Sequence, residues 1–428
     1  MAEKPDPVPT GEPPSDAVAA ADTVNDTAAD TAARRSRRTA ILGAMFLMAT
    51  SAIGPGFITQ TTTFTVQLGA AFAFAILVSI LVDIAVQLNV WRVVGVSGER
   101  AHELANQAVP GAGWVLTALV VFGGLVFNIG NIAGTGLGVQ AMTDVDPLIG
   151  GVVTSALAIA IFLYKRAGAV MDRIVVVLGF LMIGLTAWIA ITSRPPLGAV
   201  LKNAVLPDQV SFIVITTLIG GTVGGYITYA GAHRLLDSGT TGPENAGEIT
   251  KSSILGVIVT GVMRIVLFLA VLGVVAAGHK LDPANPAADA FRIAAGQFGY
   301  RAFGVILWAA AITSVIGASY TSVSFLTKST GSPKVRNWLT VGFIVLGTIL
   351  YATLGRAPVQ LLIFAGGLNG LILPIGFTAI LWVAWRRRDL LHGYVYPRWL
   401  LTIGVLAWLL TLYLGFQSLA GLVQLWSA

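Results

Sequence analysis

Two clusters of residues interrupt apolar segments at places where a continuous helix would exclude them. Gly54-Pro55-Gly56 lies inside the apolar run 39–69, and Gly220-Gly221-Thr222-Val223-Gly224-Gly225 lies inside the run 211–235. Proline removes a backbone donor and clashes with the preceding turn, while glycine tolerates the backbone that results. Unwound backbone at membrane depth persists only beside protein or a watery cavity, because its N–H and C=O groups need partners. Its free carbonyls can hold a cation, and the helix N-terminus after a break can hold an anion. Close helix packing is the other common use of membrane glycines.

The side chains near these breaks are neutral, small and rich in hydroxyls and amides. Thr59, Gln60, Thr61, Thr62 and Thr63 follow the first break, and Thr222, Tyr226, Thr228 and Tyr229 surround the second. Asn369 stands among Gly366, Gly367 and Gly370, and Thr313, Ser314 and Ser319 lie on another segment. Such a lining suits a polar organic solute bearing a carboxylate or an amide. Gly54, Gly56, Phe57, Gln60, Thr61, Thr222, Gly224, Tyr226 and Asn369 are therefore the expected substrate-binding residues, with no metal ligands among them. For the threonines the competing expectation is a hydroxyl bonded back to its own helix. For Tyr226 it is a packed aromatic ring.

Ionisable residues inside a membrane are functional candidates. Asp83 and Arg264 fall in the second and seventh segments, equivalent places in two halves of the chain, where they could form a structural pair. His233 closes the sixth segment beside Arg234 and is a candidate proton switch. Asn128 and Asn131, three apart on one helix face, complete the coupling or gating candidates; their alternative is an interhelical hydrogen bond.

The elements that must position these residues are membrane helices. Of 428 residues, 55% are hydrophobic and 11% charged, where soluble proteins carry about 25% charged. The mean hydropathy is +0.81. Runs long enough to cross a bilayer occur at 39–69, 71–92, 113–141, 147–164, 173–192, 211–235, 253–277, 300–327, 337–354, 358–385 and 397–424, about eleven spans. Residues 1–38, rich in Ala, Asp, Pro and Thr, read as a disordered cytoplasmic tail. Eleven spans with an inside N-terminus place 19 of the 26 Lys and Arg residues in inside loops and 6 outside, as the positive-inside rule requires. Arg264 is the one left within a span. With no cysteine and four histidines, disulfides and thiolate metal sites are excluded. The basic charge sits in short loops, so no nucleic-acid partner is expected.

At the two breaks the chain resembles the Nramp superfamily. Ile41-Leu42-Gly43, followed after ten residues by Gly54-Pro55-Gly56-Phe57, is similar to that family's Leu-Gly and Asp-Pro-Gly-Asn. Ile219-Gly220-Gly221-Thr222-Val223-Gly224-Gly225-Tyr226-Ile227 is similar to its Ile-Gly-Ala-Thr-Val-Met-Pro-His-Asn. Asn128-Ile129-Gly130-Asn131-Ile132-Ala133-Gly134 resembles the stretch that carries an Asp and a Glu in the family. The resemblance implies an all-α membrane protein with the LeuT-type fold: two inverted five-helix repeats, here about 39–192 and 211–385, and an extra helix about 397–424. Helices 1 and 6 are broken in that fold, and 39–428 form one transporter domain.

The departures are chemical. Where metal-carrying members bind a transition metal through Asp, Asn and Met, this chain has Gly54, Phe57 and Gly224. Asn128 and Asn131 replace the acids linked to proton movement, and Tyr226 replaces the histidine. A divalent cation needs donors to replace its water, and here only backbone carbonyls remain. The likeness extends to a bacterial subgroup that lacks these ligands and can accompany genes of 5-oxoproline breakdown.

The expectation is therefore a secondary transporter of the bacterial inner membrane. It would work by alternating access, carry a small polar organic solute such as a 5-oxoproline-like carboxylate, couple to H+ or Na+, and need no cofactor. The alternative is a divalent-metal (Mn, Fe or Mg) transporter using carbonyls. A membrane-embedded enzyme is more remote, since no HEXXH helix, GxSxG turn or intramembrane aspartate pair occurs.

Overall fold

The computed structural model describes residues 53–237, 239–327 and 332–427, apart from the side chains of 165–176, 234 and 425–427. The expected tail (1–38) and the first part of the first span (39–52) lie outside the described residues. Among the described residues the chain is helical, without strands. The first helix, α1, runs Pro55–Leu68. One 3-10 turn, Gly69–Ala71, separates it from α2 (Phe72–Ser97). There follow α3 (Ala101–Ala108), α4 (Ala112–Thr143), α5 (Pro147–Leu163), α6 (Lys165–Thr192), α7 (Leu197–Val205), α8 (Phe212–Thr222) and α9 (Ile227–Asp237). The chain ends with α10 (Ala246–Ala276), α11 (Pro286–Ser324), α12 (Pro333–Leu354), α13 (Pro358–Arg386) and α14 (Arg398–Ser427).

Helix ends follow local chemistry. α2 stops at Gly98, whose φ of 71° suits glycine and lets its N–H reach the Val94 carbonyl at 3.1 Å. α5 starts with Pro147 in its first turn and the Asp146 carboxylate accepting from Leu148 N–H at 2.8 Å. α11 is interrupted by non-helical Ala295 and Gly296 (φ 64°), which separate a short first helix from the span beyond. Ten of the eleven expected segments coincide with these helices. The short amphipathic helices α3 and α7 escape a search for apolar runs.

α1 lies at the centre, packed by α4, α8, α10, α11 and α13. α4 and α11 pack along each other, and α13 bridges α4 and α8. Without a hydrophobic drive between helices in lipid, close approach depends on small residues. A Cβ on Gly138 would strike the Trp308 backbone, one on Gly134 would strike Pro55, and one on Gly220 would strike the Gly366 carbonyl. The helix pair α8–α9 is the most enclosed span, whereas α12 and α14 expose large apolar side chains such as Trp338 and Phe416.

Candidate functional site

The two breaks meet at the centre of the bundle. Gly54 is extended (φ −86°, ψ −176°), and Pro55 opens α1 in its first turn. No side chain caps this N-terminus and its first turn holds no acidic residue, although Gly56 and Phe57 are buried. A helix N-terminus of this kind favours an anion. α8 ends at Thr222, and Val223 to Tyr226 form the turn before α9. Gly225 N–H donates to the Asn369 carbonyl at 2.9 Å, so α13 satisfies the unwound backbone. A Cβ on Gly224 would strike the Gly220 backbone, which explains glycine there. The second cluster thus does two things: Gly220 and Gly221 permit close packing, and Gly224 and Gly225 make the break.

Charge enters from α10. Arg264 is 2% exposed at mid-helix, and its guanidinium carbon lies 4.3 Å from the centre of the Phe57 ring. Its Nε and Nη2 have no hydrogen-bond partner. Asp83, 1% exposed on α2, interacts electrostatically with Arg264 without a direct ion pair, while the Thr222 hydroxyl donates to the Leu218 carbonyl of its own helix at 2.8 Å. Phe57, beside the first break, therefore packs against the cation of this pair.

The other expected residues divide by what they touch. Gln60 is wedged between α8 and α13: its Nε2 donates to the Leu362 carbonyl at 3.2 Å, and Gly221 and Gly366 leave it room. Its Oε1 is unpartnered. Thr61 donates to the Phe57 carbonyl at 2.7 Å and Thr62 to Ile58 at 2.9 Å, so these hydroxyls are satisfied within α1. Gly56 has only ordinary contacts around it. Tyr226 packs on Phe127 of α4, ring centres 5.2 Å apart. Asn369 donates to the Gly123 and Ala365 carbonyls at 3.1 and 2.9 Å.

The two asparagines of α4 behave differently. Asn128 donates to Ser319 of α11 at 3.0 Å, an interhelical bond. Asn131, fully buried, has neither amide atom partnered. It lies one turn from Phe127, which touches Tyr226, and one turn from Gly134, which touches Pro55. Ser322 of α11, not singled out in the sequence, sits against Gly124 with its hydroxyl unpartnered. The sequence signal for it is weak, since serine in a membrane helix most often bonds to its own backbone.

His233 stands apart, at the end of the α9 arm. Its Nε2 accepts from Ala101 N–H at 3.3 Å, at the start of α3, and its ring stacks on Phe325 with centres 4.3 Å apart. A backbone N–H can only donate, so Nε2 is an acceptor and the neutral ring carries its proton on Nδ1. His102 lies 6.1 Å away, and Arg100 donates to the Ser324 carbonyl at 2.6 Å. This knot joins α3, α9 and the end of α11.

Among the described residues, no three His, Cys, Asp or Glu side chains converge as a metal site would require. What the first break does bring together is a buried guanidinium and an uncapped helix start.

Comparison with known proteins agrees with this architecture. A family model described as natural resistance-associated macrophage protein-like (Nramp) matches residues 45–421. The membrane protein YcsG of Bacillus subtilis (strain 168) is 51% identical over 391 residues, 90% of this chain and 96% of its own. A membrane protein of Haemophilus influenzae is 50% identical over 385 residues, 89% and 95% of the two chains. Both carry the description uncharacterized. The manganese transporter of Eremococcus coleocola, solved with an aromatic bis-isothiourea compound, superposes with a TM-score of 0.70 at 16% identity. That match covers 90% of this chain and 87% of the other. MhsT in complex with L-phenylalanine gives 0.63 at 18% identity, covering 88% and 98%. These superpositions give the LeuT-type fold.

Proposed function

We propose, from the premise that this chain belongs to the Nramp family of multi-pass membrane transporters, that it carries a small organic carboxylate rather than a transition metal. One observation carries the reading: the Arg264 guanidinium lies over Phe57 at the start of α1 with two nitrogens open. A fixed cation beside the N-terminal end of a helix repels a divalent metal and attracts a carboxylate. Phe57 and Gly54 offer such a metal no side-chain donor. Neutral groups at the rest of the site, Asn131 above all, suit the remaining polar part of the solute. A 5-oxoproline-like acid, a carboxylate on a compact amide ring, matches this combination. The bias of Lys and Arg to one side supports a bacterial inner membrane with the N-terminus in the cytoplasm.

The test is a thermal-shift screen of the detergent-purified protein. It sets 5-oxoproline, lactate and amino acids against manganese and magnesium. A solute at a hundred times its Kd stabilises by about 2.7 kcal/mol. Stabilisation by a carboxylate and none by manganese is expected; saturable stabilisation by manganese alone overturns the reading.

A further inference from the structure

The hairpin between α13 and α14 carries three cations without partners. Trp408 of α14 shares its indole N–H between the Pro374 carbonyl at 3.2 Å and the Thr378 hydroxyl at 2.9 Å, both on α13, which fixes the register of the two antiparallel helices. Arg386 lies eight residues beyond Thr378 and Arg398 ten before Trp408, about 12 and 15 Å of helix at 1.5 Å per residue. The two arginines therefore sit at one level, at the end of α13 and the start of α14. Arg388 stands between them in the connection, and all three are exposed. The one acid of the segment 386–398, Asp389, is taken by Arg387 at 2.8 Å. Among the described residues no carboxylate forms an ion pair with Arg386, Arg388 or Arg398.

The connection is pinned to the bundle. His392 Nε2 lies 3.1 Å from the Ser97 carbonyl, the Tyr396 hydroxyl donates to Asn89 Oδ1 at 2.8 Å, and Asn89 in turn donates to the Leu400 carbonyl at 3.1 Å. α2 thus holds both the turn and the first residues of α14. Beside the charges stand apolar groups that face outward. The Arg386 guanidinium carbon rests 4.2 Å from the centre of the Trp385 ring, and Trp385, Val395 and Trp399 are exposed. Exposed tryptophan rings at the end of a span mark the level of phospholipid headgroups. Three like charges on one fixed edge also repel one another, and more strongly beside hydrocarbon than in bulk water. An anion set among them removes that cost.

We propose that this edge binds the headgroup of an anionic phospholipid, with the phosphate among Arg386, Arg388 and Arg398 and the acyl chains against Trp385 and Trp399. A guanidinium fork fits a phosphate through paired hydrogen bonds, and basic surfaces on the cytoplasmic side of membrane helices attract anionic headgroups. Phosphatidylcholine presents the same phosphate, but its choline cation adds to the positive charge already there. On the orientation proposed above, this edge faces the cytoplasmic leaflet. The lipid site is separate from the solute site and stands whether or not a carboxylate binds at Arg264.

The test is native mass spectrometry of the full-length, detergent-purified protein titrated with phosphatidylglycerol or with phosphatidylcholine of the same acyl chains. Phosphatidylglycerol is expected to bind about tenfold more tightly, and the preference to vanish in the Arg386→Gln/Arg388→Gln/Arg398→Gln variant. A control variant, Lys251→Gln/Lys334→Gln, removes two exposed cations elsewhere and should keep the preference. In phosphatidylcholine nanodiscs the triple variant should melt no lower than wild type, because its charges no longer repel. Adding phosphatidylglycerol should raise the melting temperature of wild type and not of the triple variant, and inorganic phosphate should raise neither. Equal binding of the two lipids by wild type overturns the proposal, as does a preference that survives the triple variant or falls as far in the control. A triple variant that melts lower in phosphatidylcholine makes the arginines structural, and a rise with inorganic phosphate makes the ligand a soluble anion; either result also overturns it.

Discussion

Arg264 of α10 lies 4.3 Å from the ring centre of Phe57, the third residue of α1. Phe57 stands at the position of the asparagine in the resembling metal-carrying motif. A cation resting on an aromatic face keeps its edge nitrogens available in-plane. Phe57, in place of that asparagine, and a buried cation thus stand together. A substitution that restores the ligands while leaving the cation should fail to restore metal binding.

This leads to a graded experiment. Gly54→Asp with Phe57→Asn returns a carboxylate and an amide, and the extended Gly54 backbone admits a side chain. The new carboxylate would be drawn to Arg264. Manganese binding, measured by titration, is expected to be undetectable in this double variant and to appear only when Arg264→Gln is added. Manganese binding by the double variant would show that Arg264 does not govern selectivity.

Asn131 offers a test that separates recognition from structure. Both its amide atoms are buried without partners, so a leucine of similar shape forfeits no hydrogen bond. Asn131→Leu is expected to match or exceed the wild-type melting temperature while weakening carboxylate binding at least tenfold. A loss of stability with binding intact would make Asn131 a structural residue.

The packing around Gln60 is a matter of stability. A Cβ at Gly221 or Gly366 would strike the Gln60 amide. Overpacking of this kind typically costs about 1–3 kcal/mol. Gly221→Ala should lower the melting temperature, and Gln60→Ala should relieve most of that loss. The pair should therefore be less than additive in a double-mutant cycle.

The spans and both breaks were legible because apolar length and clusters of glycine and proline are local signals. The half-helix α1 begins at Pro55 and α8 ends at Thr222, inside the two clusters. What was not legible is direction. A helix apolar around its whole circumference gives no sign of which neighbour a side chain faces. Arg264 could be matched with Asp83 by its place in the repeats, and the two do interact electrostatically. Its seat on Phe57 could not be read. For the same reason Asn128 and Asn131 look equivalent in sequence, yet only Asn128 finds a partner, Ser319. Thr61, expected to line the site, turns its hydroxyl to Phe57 as helical threonines commonly do.

The knot at the end of α9 predicts a pH response. Burial, partly opposed by Glu103 and aided by Arg100, holds the His102 imidazole below its ordinary value of 6.5. The unfolded chain therefore binds more protons than the folded one as pH falls below that value, and stability is lost on acidification. Thermal melts from pH 7.5 to 5.5 should fall, and His102→Gln should flatten part of the slope. A wild-type curve unaffected by the substitution would remove His102 from the response.

The most direct measurement is uptake into proteoliposomes of labelled 5-oxoproline and, separately, of labelled manganese, by wild type and Arg264→Gln under an inward proton gradient. The expected result is saturable uptake of the acid by wild type, its loss in Arg264→Gln, and manganese entry no faster than in empty liposomes. Saturable manganese uptake by wild type, with the acid excluded, would contradict the assignment of Arg264 as the anchor for a carboxylate.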